Sequence, residues 1–317
     1  MLPAQKEDLT AWTVAQRGPK AATDPFQPQG FFLERERPAQ GQVVDSACIL
    51  LTNRECPWHC LMCDLWKHTL DRTVPQGAIP AQVESALSKL GGQPAQVKLY
   101  NSGSFFDPGA IPVSDYPAIA GHVCFARNIV VECHPRLVGD KVLRFRDLLS
   151  SSLEVALGLE TIHPVVLPRL NKRFNPGHFA EAAAFLLKNG VAVRTFLLVQ
   201  LPFLGEEESI EWALKSAQFA FSCGSSVVTM IPTRAGNGAM DALRKTGEFS
   251  SPTVATVERT MNLVLGSCRH HGRVFVDLWN LEQFSSCPAC FHLRLKRLET
   301  LNLTQEVLPP VTCRTCP

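Results

Sequence analysis

Short apolar runs that alternate with longer amphipathic stretches are the feature that most limits how this chain can fold. Six such runs lie at residues 48–52, 97–100, 128–133, 153–160, 191–201 and 227–231. Helical patterns separate them, for example at residues 178–189, which end at Gly190. Strands separated by helices are typical of βαβ units and of a parallel sheet. Because six strands are fewer than the eight of a closed barrel, the sequence predicts an α/β fold built as a partial (β/α)6 TIM-like barrel.

The predicted barrel covers residues 41–235 and is flanked by two segments of different composition. Residues 1–40 are rich in Pro, Gln and charged residues and are expected to form an N-terminal extension. Residues 236–317 are predicted to form a C-terminal region, with a last strand at 273–278 and a small cysteine-rich module. The N-terminus lacks the apolar core of a signal peptide, and no apolar run is long enough to span a bilayer. We therefore expect a cytoplasmic protein without a membrane partner.

The chain contains twelve cysteines, and seven of them fall into tight clusters. In a reducing compartment disulfides are rare, and clustered cysteines are more typical of metal sites. The clusters are a CxxxCxxC motif and two CxxC pairs, formed by Cys56, Cys60, Cys63, Cys287, Cys290, Cys313 and Cys316. The other five are expected to be small buried hydrophobic residues, namely Cys48, Cys124, Cys133, Cys223 and Cys268.

The CxxxCxxC motif directly follows the first predicted strand, so its three thiolates are expected on a loop at the carboxyl end of that strand. Iron–sulfur clusters are held by thiolates, and an electron-transfer cluster of the 4Fe-4S type takes four of them. Three local cysteines would leave one iron open for a small-molecule ligand. Zinc is the alternative at this site, with His59 or His68 as the fourth ligand.

Polar and charged residues follow the later predicted strands in the same way. In barrels of parallel strands, side chains at the carboxyl ends face a common mouth, where the chemistry of such barrels is placed. A simple turn, a surface ion pair or solvated helix-end charges are the structural alternatives for these residues. In chain order they are Asn101, Ser102, Gly103, Glu132, Arg136, Glu160, Lys172 and Arg173.

Together these motifs resemble the radical S-adenosylmethionine (SAM) superfamily, and within it the elongator-catalytic-subunit type. The strings YNSGSFFDP, LEVALGLET and LLVQLPFL and the pair Asn171-Lys172 are most similar to the archaeosine-biosynthesis subgroup, over residues 45–235. The resemblance implies that the CxxxCxxC cysteines hold a 4Fe-4S cluster whose open iron binds SAM. It further implies reductive cleavage of SAM to methionine and a 5′-deoxyadenosyl radical, which abstracts a hydrogen from substrate. Met62 stands where the family often has an aromatic residue.

The resemblance also implies where SAM would be bound. The backbone of residues 101–103 would contact the methionine amino group, with Gly103 permitting a close approach. Glu160 would accept hydrogen bonds from the ribose hydroxyls, and Lys172 or Arg173 would pair with the SAM carboxylate. The full set of expected cofactor-binding residues is Asn101, Ser102, Gly103, Glu132, Arg136, Glu160, Lys172 and Arg173.

The two CxxC pairs near the C-terminus, Cys287/Cys290 and Cys313/Cys316, are separated by 22 residues. This interval is slightly longer than that of a usual zinc ribbon. A tetrahedral zinc site formed by the four cysteines is the first expectation, because such sites are closed and stabilising. An auxiliary iron–sulfur cluster and a redox CxxC are the alternatives.

The predicted function is therefore that of a radical SAM enzyme, which would need a reductant such as ferredoxin or flavodoxin. The resemblance implies a modified tRNA base as a class of substrate, and hence RNA as a partner, although the net charge of +2 gives no electrostatic argument for nucleic acid. The substrate, the catalytic residue, the reaction class and the oligomeric state stay unassigned. The alternative is a non-enzymatic zinc protein that binds nucleic acid or a protein partner.

Overall fold

One curled sheet of eight strands forms the centre of the computed structural model, which describes residues 6–39 and 41–316. Its strands are β1 (Gly30–Glu36), β2 (Val44–Leu51), β3 (Gln96–Asn101), β4 (Asn128–Cys133), β5 (Ser152–Glu160), β6 (Ala192–Val199), β7 (Val227–Pro232) and β8 (Arg273–Val276). The helices are α1 (Lys6–Ala15), α2 (Ala78–Leu90), α3 (Tyr116–Val123), α4 (Asp140–Arg146), α5 (Val166–Arg169), α6 (Pro176–Lys188), α7 (Glu206–Ser222), α8 (Ala239–Lys245), α9 (Val254–Cys268) and α10 (Pro288–Thr304).

The strands lie side by side in chain order, and β2 to β8 are all parallel. The predicted α/β partial barrel is thereby confirmed, and its six predicted strands correspond to β2 to β7. Two further strands extend the sheet beyond residues 41–235. β8 adds a parallel strand, and β1 pairs antiparallel with β2 from inside the predicted N-terminal extension. Residues 1–5, 40 and 317 of the predicted terminal segments lie outside the described residues.

The two faces of the sheet differ because side chains alternate along each strand. On β3, Val97 and Leu99 pack outward in the hydrophobic core with the helices, whereas Lys98 lines the inner face. Lys98 forms an ion pair with Glu36, and the Arg194 Nη2 atom lies 2.6 Å from the Glu36 Oε1 atom. Burial alone would raise the pKa of Glu36, but Arg194 and Lys98 outweigh it and hold that pKa well below its usual range. The inside of the half-barrel therefore carries paired charges instead of an apolar core.

The edges of the sheet, β1 and β8, face each other across a gap that we call the seam. Two side-chain amides at the end of α10 pair with the free edge of β8. Asn302 accepts from the Val276 N–H at 2.9 Å and donates back to the Val276 carbonyl at 2.9 Å, and Gln305 does the same with Val274 at 2.7 and 2.9 Å. Because each amide satisfies one donor and one acceptor, α10 covers an edge that would otherwise be open to pairing. No helix in the described part of the chain combines the length and apolarity needed to cross a bilayer.

Candidate functional site

A cavity of about 990 Å³ fills the inside of the half-barrel and reaches the carboxyl ends of its strands. Cys56, Cys60 and Cys63, on the loop that follows β2, all line this cavity. The strand-end residues predicted from the sequence line it too, with two exceptions described below. The members of that set at the cavity are Asn101, Ser102, Gly103, Glu132, Glu160 and Lys172.

Two asparagines that the sequence analysis did not single out as site residues fasten the cysteine loop. The Asn171 side-chain amide donates to the His59 carbonyl at 3.0 Å. The Asn237 amide donates to the carbonyls of Leu61 at 2.8 Å and of Cys63 at 3.1 Å. Both asparagines are buried, so these bonds replace water at loop carbonyls and hold the backbone that carries the thiols. Asn237 stands between two glycines in the sequence, which was the only local signal of an unusual loop.

The segment that precedes β1 also packs on the cysteine loop. Glu55, next to the first cysteine, forms ion pairs with Arg17 at 2.5 Å and Lys20 at 2.6 Å. The Arg17 guanidinium lies over the Trp66 ring, 4.9 Å from its centroid. A Cβ atom on Gly238 would lie 1.9 Å from the Gln16 carbonyl oxygen, so this glycine permits the close packing of that segment. The N-terminal segment is thus part of the wall around the cysteine loop.

Residues 101–103 bring backbone against the first cysteine. Gly103 has φ +141°, and a Cβ atom built on it would lie 2.9 Å from the Cys56 Cβ. The Ser102 N–H donates to the Asn53 side chain at 3.1 Å, and the Asn101 N–H donates to the Glu132 carboxyl. Neither polar atom of the buried Asn101 side-chain amide has a hydrogen-bond partner in the part of the chain that the structure describes. Such an unpaired amide, in the lining of the cavity that the three thiols also line, is suited to a polar ligand.

Replacing Gly103 with alanine is expected to destabilise the protein by about 1–3 kcal/mol, because the new methyl group meets Cys56 in a backbone conformation that disfavours L-residues. Urea unfolding of the two proteins measures the difference. The matched control is Gly121→Ala, within α3, where a Cβ meets nothing within 4 Å. That variant should gain up to about 1 kcal/mol. Equal stability of the two alanine variants would contradict the close contact at Gly103.

The Glu132 carboxyl lies in the cavity wall, and its pKa is higher than usual. Burial raises the pKa of Glu132 to about 8, and the nearby Glu160 adds to this, while the Asn101 N–H and Lys172 oppose it. The folded protein therefore keeps a proton on Glu132 at a pH where the unfolded chain has released it. Between pH 4.5, the usual pKa of this carboxyl, and about pH 8, the contribution of Glu132 to the free energy of unfolding falls as the pH rises.

We expect Glu132→Gln to remove this pH dependence, since glutamine still accepts from the Asn101 N–H and does not ionise. From pH 6 to pH 9, wild-type protein should lose about 3 kcal/mol more stability than the variant. Denaturant unfolding of the metal-free wild type and variant at both pH values measures this difference in stability. Parallel loss in the two proteins would show that Glu132 ionises near its ordinary pKa.

Glu160 and Lys172 form a buried ion pair beside the cysteines. The Lys172 Nζ atom lies 2.6 Å from the Glu160 Oε1 atom. Glu160 has φ +65°, and the β5–β6 register shifts between Gly158 and Glu160. A Cβ on Gly158 would lie 2.5 Å from the Lys172 Nζ, so a side chain at this position would have to displace the ends of the paired side chains. Burial would lower the pKa of Lys172, but Glu160 and Cys60 raise it, and the ammonium stays charged next to the thiols.

His134 forms the wall behind Lys172. Its ring stacks on Trp58 with centroids 3.9 Å apart and 9° between the planes. The His134 Nδ1 atom accepts from the Arg136 N–H at 3.2 Å, which leaves Nε2–H to donate to the Lys172 carbonyl at 2.9 Å. Burial and the Lys172 charge lower the pKa of His134 to about 3, so the ring is neutral. His134 therefore positions the loop around Lys172 and the Trp58 ring of the cysteine loop.

Arg136 and Arg173 are the exceptions among the predicted cofactor residues. Both side chains are exposed and neither lines the cavity. The Arg173 guanidinium instead donates to the Thr10 hydroxyl at 2.8 Å. Arg136 follows β4 on a short 3-10 turn, which carries its side chain away from the barrel mouth. The carboxyl end of a strand indicated the right region for these two residues but not the direction of their side chains.

The zinc alternative at the CxxxCxxC motif is not assembled in this structure. The exposed His68 does not line the cavity, and the His59 Nδ1 atom lies 3.1 Å from Glu55. Within residues 6–39 and 41–316, the compact groups of three or more metal-ligand atoms include none formed by these cysteines.

The two CxxC pairs do meet, as the sequence predicted for a C-terminal metal site. Their four Sγ atoms lie within 4.8 Å of one another, with Cys287 to Cys313 at 4.0 Å and Cys290 to Cys316 at 3.4 Å. A zinc–thiolate distance of about 2.3 Å gives an Sγ–Sγ separation of about 3.8 Å in a tetrahedron. Backbone hydrogen bonds from Cys316 and Thr315 lower the pKa of Cys313 to about 6, whereas hydrogen bonds with the Cys290 and Cys287 thiols raise the pKa of Cys316 to about 12. Cys313 therefore forms the thiolate that a metal binds more readily than Cys316 does.

The isolated cysteines follow the prediction in part. Cys48, Cys133 and Cys268 are buried, as expected for small hydrophobic residues. Cys223 is half-buried. The prediction for Cys124 is wrong, because this residue lies at the carboxyl end of α3 and is exposed.

No family model matches the chain. Over 149 residues, or 44% of the chain, it is 33% identical to archaeosine synthase subunit beta of Thermococcus kodakarensis, of which 46% is covered. Over 223 residues, or 67% of the chain, it is 24% identical to archaeosine synthase subunit beta of Methanosarcina acetivorans, of which 64% is covered. The chain thus matches less than two thirds of the length of either relative.

Among solved structures, an N-terminally truncated Elp3 from the archaeon Methanocaldococcus infernus has a similar fold. The TM-score is 0.55 at 15% identity, over 81% of this chain and 63% of that one. At 15% identity, this similarity shows a shared fold.

Proposed function

We propose, from the resemblance of its motifs to the radical SAM superfamily of the elongator and archaeosine type, that this chain cleaves SAM reductively and abstracts a hydrogen from a substrate in the same cavity. The partial identity with two archaeosine synthase beta subunits and the fold shared with Elp3 support this proposal. The similarities support a radical SAM-type enzyme. One observation carries the proposal of SAM cleavage at this site. Cys56, Cys60 and Cys63 line the same cavity as the Gly103 backbone and the Glu160–Lys172 ion pair.

A 4Fe-4S cluster bound by these three thiolates would supply the electron that cleaves SAM to methionine and the 5′-deoxyadenosyl radical. The residues present fit such a group. The three cysteines line a common cavity, Gly103 leaves no side chain against Cys56, and the Asn101 amide, which has no partner among the described residues, lines the same cavity. Reductant would come from a low-potential donor of the ferredoxin or flavodoxin type.

The chain's own side chains would set the charge around the cofactors. The buried Lys172 ammonium would offset the thiolate charge of Cys60 and Cys56, which act on its pKa. Glu160, held by Lys172 at 2.6 Å, would accept from the SAM ribose hydroxyls, because a carboxylate keeps free acceptor positions beside one ion pair. The backbone of residues 101–103 would contact the methionine amino group, with the Glu132 carboxyl behind it.

For the substrate, we propose a modified base of tRNA. The name archaeosine synthase on two relatives supports this proposal, and so does the subgroup to which the motifs are most similar. After hydrogen abstraction, the products would be 5′-deoxyadenosine and a substrate-centred radical.

For the C-terminal four-cysteine site, we propose a single zinc ion. The four Sγ atoms are as close together as one tetrahedral ion requires, whereas a 4Fe-4S cube binds each thiolate on a different iron and separates them further. The Arg294 Nε–H donates to the Cys290 Sγ at 3.2 Å and would offset part of the charge of four thiolates.

Anaerobic purification tests the proposed function. A radical SAM enzyme of this kind should be brown, absorb at about 400 nm, contain about four irons besides zinc, and release 5′-deoxyadenosine from SAM with a strong reductant. A colourless protein that contains zinc alone under the same conditions would overturn the proposal in favour of a non-enzymatic zinc protein.

A further inference from the structure

The part of the cavity next to the seam is lined by residues that the proposed cofactor contacts leave unused. Phe32 of β1 and Trp279, three residues beyond β8, stack across the seam with ring centroids 5.0 Å apart and 29° between the planes. Trp279 is nevertheless 47% exposed, and its side chain lines the cavity. Phe32 therefore covers only part of the indole, and the remaining surface is open to a second ring.

Two charged side chains lie next to Trp279, and further polar groups line the same cavity. The Arg234 guanidinium donates to the Asp277 carboxylate at 2.8 Å and to the Trp279 carbonyl at 2.7 Å, which holds the tryptophan backbone in place. The Arg234 Nε atom and the hydroxyls of Thr229 and Thr233 have no hydrogen-bond partner within the described residues. All of these side chains line the cavity.

The chemistry of this lining limits what it can bind. An arginine and an aspartate cancel each other's charge, so a phosphate or a carboxylate gains little there. Hydroxyls, a guanidinium N–H and a carboxylate in the lining of the cavity include both donors and acceptors. A neutral ring with donors and acceptors on its edge satisfies this lining, and it also stacks favourably on tryptophan.

We propose that Phe32, Arg234, Asp277 and Trp279, which we call the seam subsite, bind the heteroaromatic ring of a nucleobase by stacking on Trp279. This inference rests on the proposed function, because it assigns the substrate ring to the cavity that the three cysteines line. It adds the residues that hold the ring and the part of the cavity where the ring lies, next to the seam.

The test is equilibrium binding of 2-aminopurine, whose fluorescence falls on stacking, to the full-length chain. One arm uses 2-aminopurine riboside and the other an RNA hairpin with 2-aminopurine in its loop. Saturable quenching is expected in at least one arm, and Trp279→Ala should weaken it about tenfold or more, since stacking of a base on an aromatic side chain contributes about 1–3 kcal/mol. Trp279→Phe should restore most of the affinity.

Leu148→Ala is the matched control, because Leu148 is also 47% exposed but does not line the cavity. It should bind as wild type does. The arm with the tighter binding identifies whether the base is bound as a nucleoside or within RNA. Absence of saturable binding in both arms, or equal affinity of wild type and Trp279→Ala, would overturn the seam subsite. Because no SAM cleavage is measured, either result is independent of the test of the proposed function.

Discussion

Replacing Cys60 with alanine is expected to abolish the release of 5′-deoxyadenosine from SAM, with a fall in rate of about 1,000-fold or more, which corresponds to about 4 kcal/mol in the barrier. Three thiolates are the smallest set that holds a 4Fe-4S cluster with one iron open, so the loss of one leaves the cluster without a stable site. Cys60 lies between the other two cysteines in sequence and lines the same cavity. The loop itself should stay folded, because Asn171 and Asn237 bind its carbonyls and not its thiols.

The measurement has two parts, iron per chain after anaerobic reconstitution and 5′-deoxyadenosine formed with a chemical reductant. Cys223→Ala is the matched control, since it removes a half-buried thiol that does not line the cavity. That variant should keep both the iron and the activity. Cleavage of SAM that survives in Cys60→Ala would remove the assignment of this loop to the cluster, whatever the C-terminal metal is.

The strands could be predicted from the sequence where buried residues alternate with exposed ones or form a continuous apolar run. β2 to β7 are such strands, since helices cover their outer face. β1 was missed because its alternate residues Glu34 and Glu36 point inward, where they pair with Lys98. A strand pattern with charges at alternate positions is typical of a segment exposed to solvent. Burial of these two carboxylates depends on a cation that only the folded barrel brings next to them.

The site was predictable to the extent that its chemistry is local in sequence. The CxxxCxxC motif and the residues at strand ends are local signals, and most of them line the cavity. The two CxxC pairs are local signals as well, and they form the separate C-terminal site. The contacts of Asn171 and Asn237 with the cysteine loop join residues more than 100 positions apart, so local sequence spacing does not predict them. The role of α10 in covering the β8 edge is of the same kind, since an amphipathic pattern indicates a helix but not which edge it covers.

Removal of the C-terminal metal is expected to affect the barrel as well as the cysteines. Two of the four thiols, Cys287 and Cys290, lie at the start of α10, and the other two come from the segment that returns after it. α10 lines the seam side of the cavity through Glu299, Asn302 and Leu303. In Cys287→Ala/Cys290→Ala, the start of α10 loses its link to the end of the chain.

This double variant should lose its zinc and keep the iron content of the wild type. Its free energy of unfolding should fall by at least about 3 kcal/mol, because structural zinc contributes about 10–16 kcal/mol of apparent binding energy in small zinc domains and this helix retains other contacts. Among those contacts, Glu258 of α9 still binds Arg297 at 3.0 Å. Hydrogen exchange should rise in α10 and β8 but not in β4, which lies in the middle of the sheet.

Metal analysis, denaturant unfolding and hydrogen exchange measure these three effects, with Cys124→Ala as the control for removal of an exposed thiol. If iron is lost in place of zinc, the C-terminal site holds an iron centre and the single-zinc proposal is wrong. If zinc is lost while α10 and β8 exchange as in wild type, the metal stabilises only its own loop. Loss of zinc together with faster exchange at α10 and β8 would instead mean that the metal maintains the wall of the substrate cavity at the seam.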